Sequence, residues 1–245
     1  MINVLSAEIL KLRTTRLVWY LLLATVALTG FAVAAAIIVA NNAGVDVASD
    51  KGVREILHVS ASGALFVLVL GVIISAGEYR QRTATDTFLS TPDRGKVIGA
   101  KLVSATSIGL LFGAASAGTA FFVANHVYSL EGNTFPLASG TAWQILGGSI
   151  LYAGLFGAMG AATGSLVRNQ VGAIVGWLVW LLLIENIVLS VAPEFGKWLP
   201  AAAGRALVRD PNGDLLAQPI AAVVLVAYAV VIVVAALVVE PRRDA

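Results

Sequence analysis

Six apolar runs organise this chain, at 17–40, 57–77, 97–124, 142–167, 171–192 and 219–239. At 1.5 Å of helical rise per residue, each is long enough to cross a hydrocarbon core of about 30 Å. Lipid offers the backbone no hydrogen-bonding partner, so a crossing segment must be a helix or belong to a closed barrel. Barrel strands would alternate polar and apolar residues over about 10 positions, whereas these runs are continuous. The expected fold class is an all-α polytopic membrane protein with six transmembrane helices.

Composition excludes the main alternatives. Only 12% of the 245 residues are charged and 58% are hydrophobic, with a mean hydropathy of +0.88. A soluble domain carries about 25% charged residues, and half that number cannot coat a water-facing surface. The chain has no cysteine, which removes disulfides, thiolate nucleophiles and cysteine-ligated metals. Its two histidines, His58 and His126, are too far apart in sequence for a His-rich metal site. The net charge of +2 comes from basic residues beside the apolar runs, where lipid headgroups and topology explain them better than nucleic acid does.

Lys and Arg in the flanks set the orientation. Eleven of the sixteen lie in the N-terminus, the second loop with the start of span three, the fourth loop and the C-terminus. The positive-inside rule then puts both termini in the cytosol. The fifth loop, with Lys197, Arg205 and Arg209, runs against this pattern. The first run is longer than a signal-peptide core and reads as a retained span.

Residues 1–16 read as an interfacial amphipathic helix. Ile2, Leu5, Ile9 and Leu12 recur at spacings of three and four, with Glu8, Lys11 and Arg13 placed elsewhere around the helix. Such a face sinks into the headgroup boundary while the cations meet anionic lipid. The second loop carries charges at both ends around Phe88 and Leu89, followed by Pro92 and Gly95. It reads either as a docking element for a soluble partner or as a solvated, topology-setting loop.

Within the spans, Glu185 is the one acid well inside a run. Its carboxylate must face a wet cavity, a bundle interior or a hydrogen-bonding partner. It is read either as a gate or substrate contact, or as a structural acid satisfied by a neighbouring helix or the outer-loop backbone. Lys101 lies about 6 Å into span three and is expected to snorkel to the surface, with a buried ion pair as the alternative. His58 is expected at the outer interface. Gly109/Gly113, Gly160/Gly164 and Gly172/Gly176 form small-xxx-small pairs that suit close helix packing within the chain, or a dimer seam.

In their succession these features resemble the ABC-2 type permeases of ABC transporters, especially the small six-span actinobacterial ones. The stretch Ala7-Glu8-x-x-Lys11-Leu-Arg-Thr-Thr-Arg16 is similar to the family's N-terminus. Glu78-Tyr-Arg-x-x-Thr83, Phe88-Leu-Ser-Thr-Pro92-x-Arg94 and Lys101 are similar to its segment between spans two and three. Trp180-x-x-x-x-Glu185 and Trp198-Leu-Pro200 look like its C-terminal features. The resemblance implies a bacterial plasma-membrane export subunit, not itself an enzyme, with ATP and Mg on a separate ATP-binding subunit present in two copies. A second permease copy or paralogue would complete the complex.

By position, the resemblance assigns Glu78, Arg80, Thr83, Phe88, Pro92 and Arg94 to a cytosolic coupling helix that meets the ATPase. It makes residues 1–16 the connecting helix, and puts short re-entrant helices in the fifth loop, 193–218. The chain's own residues agree in lacking a G-x-x-x-x-G-K-[ST] phosphate loop. The sparse polarity of the spans suits a hydrophobic or amphipathic cargo. A self-contained secondary transporter centred on Glu185 is the alternative; an intramembrane enzyme lacks a nucleophile–base or metal constellation.

Overall fold

The computed structural model describes residues 2–46, 49–80, 94–130, 136 and 140–239. Among them the chain is all-α, and six helices are long and apolar enough to cross a membrane. In chain order these are α1 (Ile2–Thr14), α2 (Arg16–Asn42), α3 (Asp50–Leu57), a 3-10 turn (His58–Ser62), α4 (Gly63–Arg80) and α5 (Arg94–Leu130). There follow α6 (Gly140–Val167), α7 (Gln170–Val179), a π turn (Trp180–Ile184), α8 (Glu185–Val191), α9 (Pro193–Gly196), α10 (Pro200–Leu207) and α11 (Gln218–Val239).

The spans match the apolar runs, and the differences have local causes. Span two starts at Asp50 rather than at residue 57, because Ser49 caps α3 by accepting a hydrogen bond from the Gly52 N–H at 3.1 Å. That first charged turn carries no apolar signal. The 3-10 turn then tightens the helix, and hydroxyls from neighbouring spans secure it. Ser116 Oγ donates to the Ser60 carbonyl at 2.7 Å, and Thr29 Oγ1 bonds Ser116 Oγ at 2.8 Å and Ser62 Oγ at 3.0 Å. A backbone irregularity inside a bilayer persists only where protein groups satisfy it in this way.

The bundle is built round α6. In its most apolar window 78% of residues are buried, against 17% in the span formed by α7 and α8 and 17% in α11. Helices α4 and α5 flank α6 at backbone contact. A Cβ on Gly71 would sit 2.5 Å from the Gly157 carbonyl oxygen, and one on Gly157 would sit 2.5 Å from that of Ala105. Gly160 meets the carbonyl of Leu68, closer still. Small residues allow this approach, and Leu68, Phe112, Phe156, Met159 and Leu225 fill the space around it.

The glycine pairs of spans three and four are thus used within the chain. The pair in span five is not, since a Cβ on Gly176 would meet nothing within 4 Å and one on Gly172 only its own Asn169 cap. Substituting Gly160→Ala is expected to lower stability in mixed-micelle unfolding by about 1–3 kcal/mol through overpacking. Gly176→Ala should be neutral or stabilising by up to roughly 1 kcal/mol. Equal losses at both positions would mean that the α7 face is covered as tightly as the contact between α4 and α6.

Candidate functional site

At the end of the bundle that carries the N-terminus, four charged side chains from three helices converge. Lys101 of α5 lies with its side chain 6% exposed, and its Nζ reaches Glu78 Oε1 of α4 at 2.6 Å. The same nitrogen reaches Glu8 Oε1 and Oε2 of α1 at 3.2 and 3.3 Å. Three contacts match the three N–H donors of an ammonium. Lys11, one turn beyond Glu8, closes the set from outside, with Nζ 2.8 Å from Glu78 Oε1 and 3.0 Å from Glu8 Oε1. Partial burial would pull the Lys11 ammonium down, but hydrogen bonds to Glu78 and Glu8 more than reverse this and hold its pKa above the ordinary lysine value.

Two expectations are corrected here. Lys101 does not snorkel; it is buried in an ion cluster, because two carboxylates on other helices meet it where it stands. Glu8, expected elsewhere around α1 from the apolar stripe, lies on the same side as Leu12. It is 3% exposed on that inward face, while Ile9 is 43% exposed, open to the headgroup boundary that the apolar face was expected to meet. Leu5 is half-buried. Ile2 lies within α1, but its side chain is outside the described residues.

The cluster brackets the second loop. Glu78 ends α4 two residues before the exposed Arg80, and Arg94 opens α5, seven residues before Lys101. Thr83, Phe88 and Pro92 lie outside the described residues, as does the Arg94 side chain. At the same end, the Arg168 guanidinium stands 5.1 Å from the centre of the Tyr79 ring, a cation–π contact between the fourth loop and the end of α4.

Glu185 sits near the other end, 1% exposed. Its Oε2 accepts from the backbone N–H groups of Ala201 at 2.8 Å and Ala202 at 3.3 Å, in the first turn of α10. That helix needs an outside acceptor: its N-cap is Leu199, which has no side-chain oxygen, and Pro200 follows. The carboxylate therefore caps a helix of the fifth loop, a contact with the outer-loop backbone. Oε1 is buried and makes no hydrogen bond among the described residues.

The π turn just before Glu185 sets its place on the helix, and Asn186 Nδ2 donates to the Leu182 carbonyl at 3.0 Å and that of Leu181 at 3.3 Å. The fifth loop does contain short helices, α9 and α10. Gly204 of α10 packs on the Tyr152 ring and the Leu207 carbonyl packs on Gly148, so α10 is seated against α6. Beyond it, burial pushes the Asp210 carboxyl up, yet the Asn212 N–H and the Arg205 guanidinium at 2.7 Å outweigh this and hold its pKa below the ordinary aspartate value.

His58 is half-buried, with Nδ1 2.9 Å from the Arg54 carbonyl oxygen. Between α6, the α7 span and α11 lies an apolar cavity of about 440 Å³, lined by Thr163, Gly176, Trp177, Trp180, Tyr228 and Ile232 among others. The Trp177 indole N–H is buried without a hydrogen-bond partner among the described residues.

The geometry defines a six-span helical membrane protein with an ion cluster at one end and a carboxylate-capped loop helix at the other. No family model matches the chain, and no curated protein is significantly similar to it.

The cap assignment separates two substitutions. Glu185→Ala removes the acceptor and should cost up to about 2 kcal/mol in mixed-micelle unfolding, whereas Glu185→Gln keeps an acceptor oxygen and should cost under about 1 kcal/mol. Equal losses would contradict the cap.

Proposed function

We propose that the chain is the membrane-spanning permease subunit of an ATP-driven ABC exporter, moving a hydrophobic or amphipathic cargo by alternating access. One observation carries the reading. The loop at 81–93 has both feet fixed: Glu78 and Lys101 tie the end of α4 and the start of α5 to each other and, through Glu8 and Lys11, to the surface helix α1. A push on that loop from a soluble partner would pass into three helices at once instead of being lost in side-chain motion. These 245 residues hold no Walker A phosphate loop, which fits a push supplied by a partner that holds ATP and Mg.

In this reading two ATP-binding subunits pair with two permease chains, the second permease being a copy or a paralogue, in a bacterial plasma membrane with both termini cytosolic. Arg80, Thr83, Phe88, Pro92 and Arg94 meet the ATPase, while Glu78 fixes the loop's base. Closing of the ATPases by ATP biases the spans between inward-open and outward-open states. Glu185 ties α10 to the α7–α8 span, so motion of that span carries the outer helix and works as the outer gate. The aromatic, uncharged cavity between α6, α7 and α11 suits an apolar or amphipathic cargo. A self-contained transporter is the second reading, favoured by the buried Oε1 of Glu185, which makes no hydrogen bond among the described residues.

The test is co-purification in mild detergent followed by ATPase assays. The expected result is a Walker-motif ATPase at about one copy per permease chain, whose hydrolysis rate depends on the permease. Phe88→Pro and Arg94→Glu should abolish that dependence while leaving membrane insertion intact. If no ATPase is captured, or if both variants stay coupled, the reading fails and Glu185-centred secondary transport takes its place.

A further inference from the structure

Where α1 turns into α2 and both lie against α5, the surface folds into an apolar crevice of about 490 Å³. Leu12, Val18 and Phe112 are buried at its base, and Leu22, Ile108 and Leu111 also line it. The two hydroxyls along it are already used: Ser104 Oγ donates to the Lys101 carbonyl at 2.9 Å and Ser107 Oγ to that of Val103 at 2.8 Å. Apart from Arg13 at one end, the walls are apolar or carry hydroxyls that donate within their own helix. Along α5 the lining runs from Ser104 to Ala115. At 1.5 Å per residue that is about 16 Å, close to the half-thickness of a hydrocarbon core of about 30 Å. The crevice has the length of one leaflet's acyl chain and begins at the end of the bundle where α1 lies.

A cation stands at that end. Arg13 lines the crevice, and the Trp19 indole N–H donates to the Arg13 carbonyl at 3.2 Å, holding the corner between α1 and α2. The nearby carboxylates are taken, since Glu8 and Glu78 are bound to Lys101 and Lys11. Arg13 and Arg16 are both exposed, and among the described residues neither forms an ion pair. Arg13, which has no ion-pair partner among the described residues, stands at the mouth of an apolar, chain-length crevice and calls for a ligand that is anionic at one end and aliphatic at the other.

We infer that this crevice binds an anionic phospholipid from the leaflet on the N-terminal side, with one acyl chain along α5 and the phosphate on the Arg13 guanidinium. A planar guanidinium matches phosphate oxygens two at a time. A headgroup without its own cation leaves the charge of Arg13 to neutralise it. The inference rests on the six-span fold alone and is independent of how transport is powered.

Native mass spectrometry of the full chain in mild detergent tests it, with equimolar phosphatidylglycerol and phosphatidylcholine of identical acyl chains as probes. The native chain should retain phosphatidylglycerol about fivefold over phosphatidylcholine, the scale expected for one basic residue at a lipid surface. Arg13→Gln should lose that preference and Arg13→Lys should keep most of it. Ser107→Trp, which fills the crevice, should reduce retention of both lipids. Size-exclusion elution identical to that of the native chain establishes that each variant is folded. Equal retention of the two lipids by the native chain would overturn the inference. So would an undiminished preference in Arg13→Gln, or native lipid occupancy in Ser107→Trp.

Discussion

A lysine ammonium taken out of water by itself carries an effective penalty of several kcal/mol, and Lys101 is taken out of water almost completely. The penalty is offset because Glu78 and Glu8 approach from two other helices and use all three of its donors, with Lys11 completing an electrically neutral set of four. The arrangement then constrains everything around it. Helix α1 cannot rotate or lift without leaving Lys101 underpaired, and the ends of α4 and α5 cannot part without separating Glu78 from it. One interaction thereby fixes the angle of the surface helix, the two feet of the second loop and the crevice that α1 forms with α2 and α5.

The same accounting governs the rest of the bundle. Where the 3-10 turn interrupts span two, hydroxyls of Thr29 and Ser116 secure it. Where the π turn interrupts span five, Asn186 bonds the carbonyls left behind. Where α10 begins with neither a capping side chain nor a proline N–H, Glu185 supplies the oxygen from the neighbouring span. Between the two ends, the glycine-lined contact of α4, α5 and α6 makes a pillar with backbone packed on backbone. The spans formed by α2, by α7 with α8, and by α11 expose most of their surface around it, to lipid or to partners. In the proposed exporter, that division separates a fixed scaffold from the elements that move against it.

Most of the fold could be read in the residues. Apolar run length alone placed six helices to within a few residues, with two exceptions. Span two starts seven residues early, at the charged turn of α3, which carries no apolar signal, and span three runs six residues further, to Leu130. The ion cluster was harder, for a physical reason. Hydropathy treats each helix by itself, and on α5 alone Lys101 reads as a cation close enough to an end to reach water. Its partners stand 23 and 93 residues away, and only the packed bundle brings them together. A trace was present in α1, where Glu8 falls three residues after Leu5 and four before Leu12, in the middle of the inward stripe. An acid in that place signals a buried cation opposite. Glu185 was legible as an acid needing a partner, with the outer-loop backbone among the candidates, but the particular N–H groups of Ala201 and Ala202 leave no side-chain signature.

The central claim is that Glu78 and Lys101 form one energetic unit at the base of the second loop. A double-mutant cycle with Glu78→Gln and Lys101→Gln, read by reversible unfolding in mixed micelles, measures it most directly. Side chains in one ion network couple by about 0.5–3 kcal/mol, and a buried pair at this separation should lie in the upper half of that range. Losses that add to within about 0.3 kcal/mol would contradict the account, because they would mean that the two side chains act independently and nothing clamps the loop.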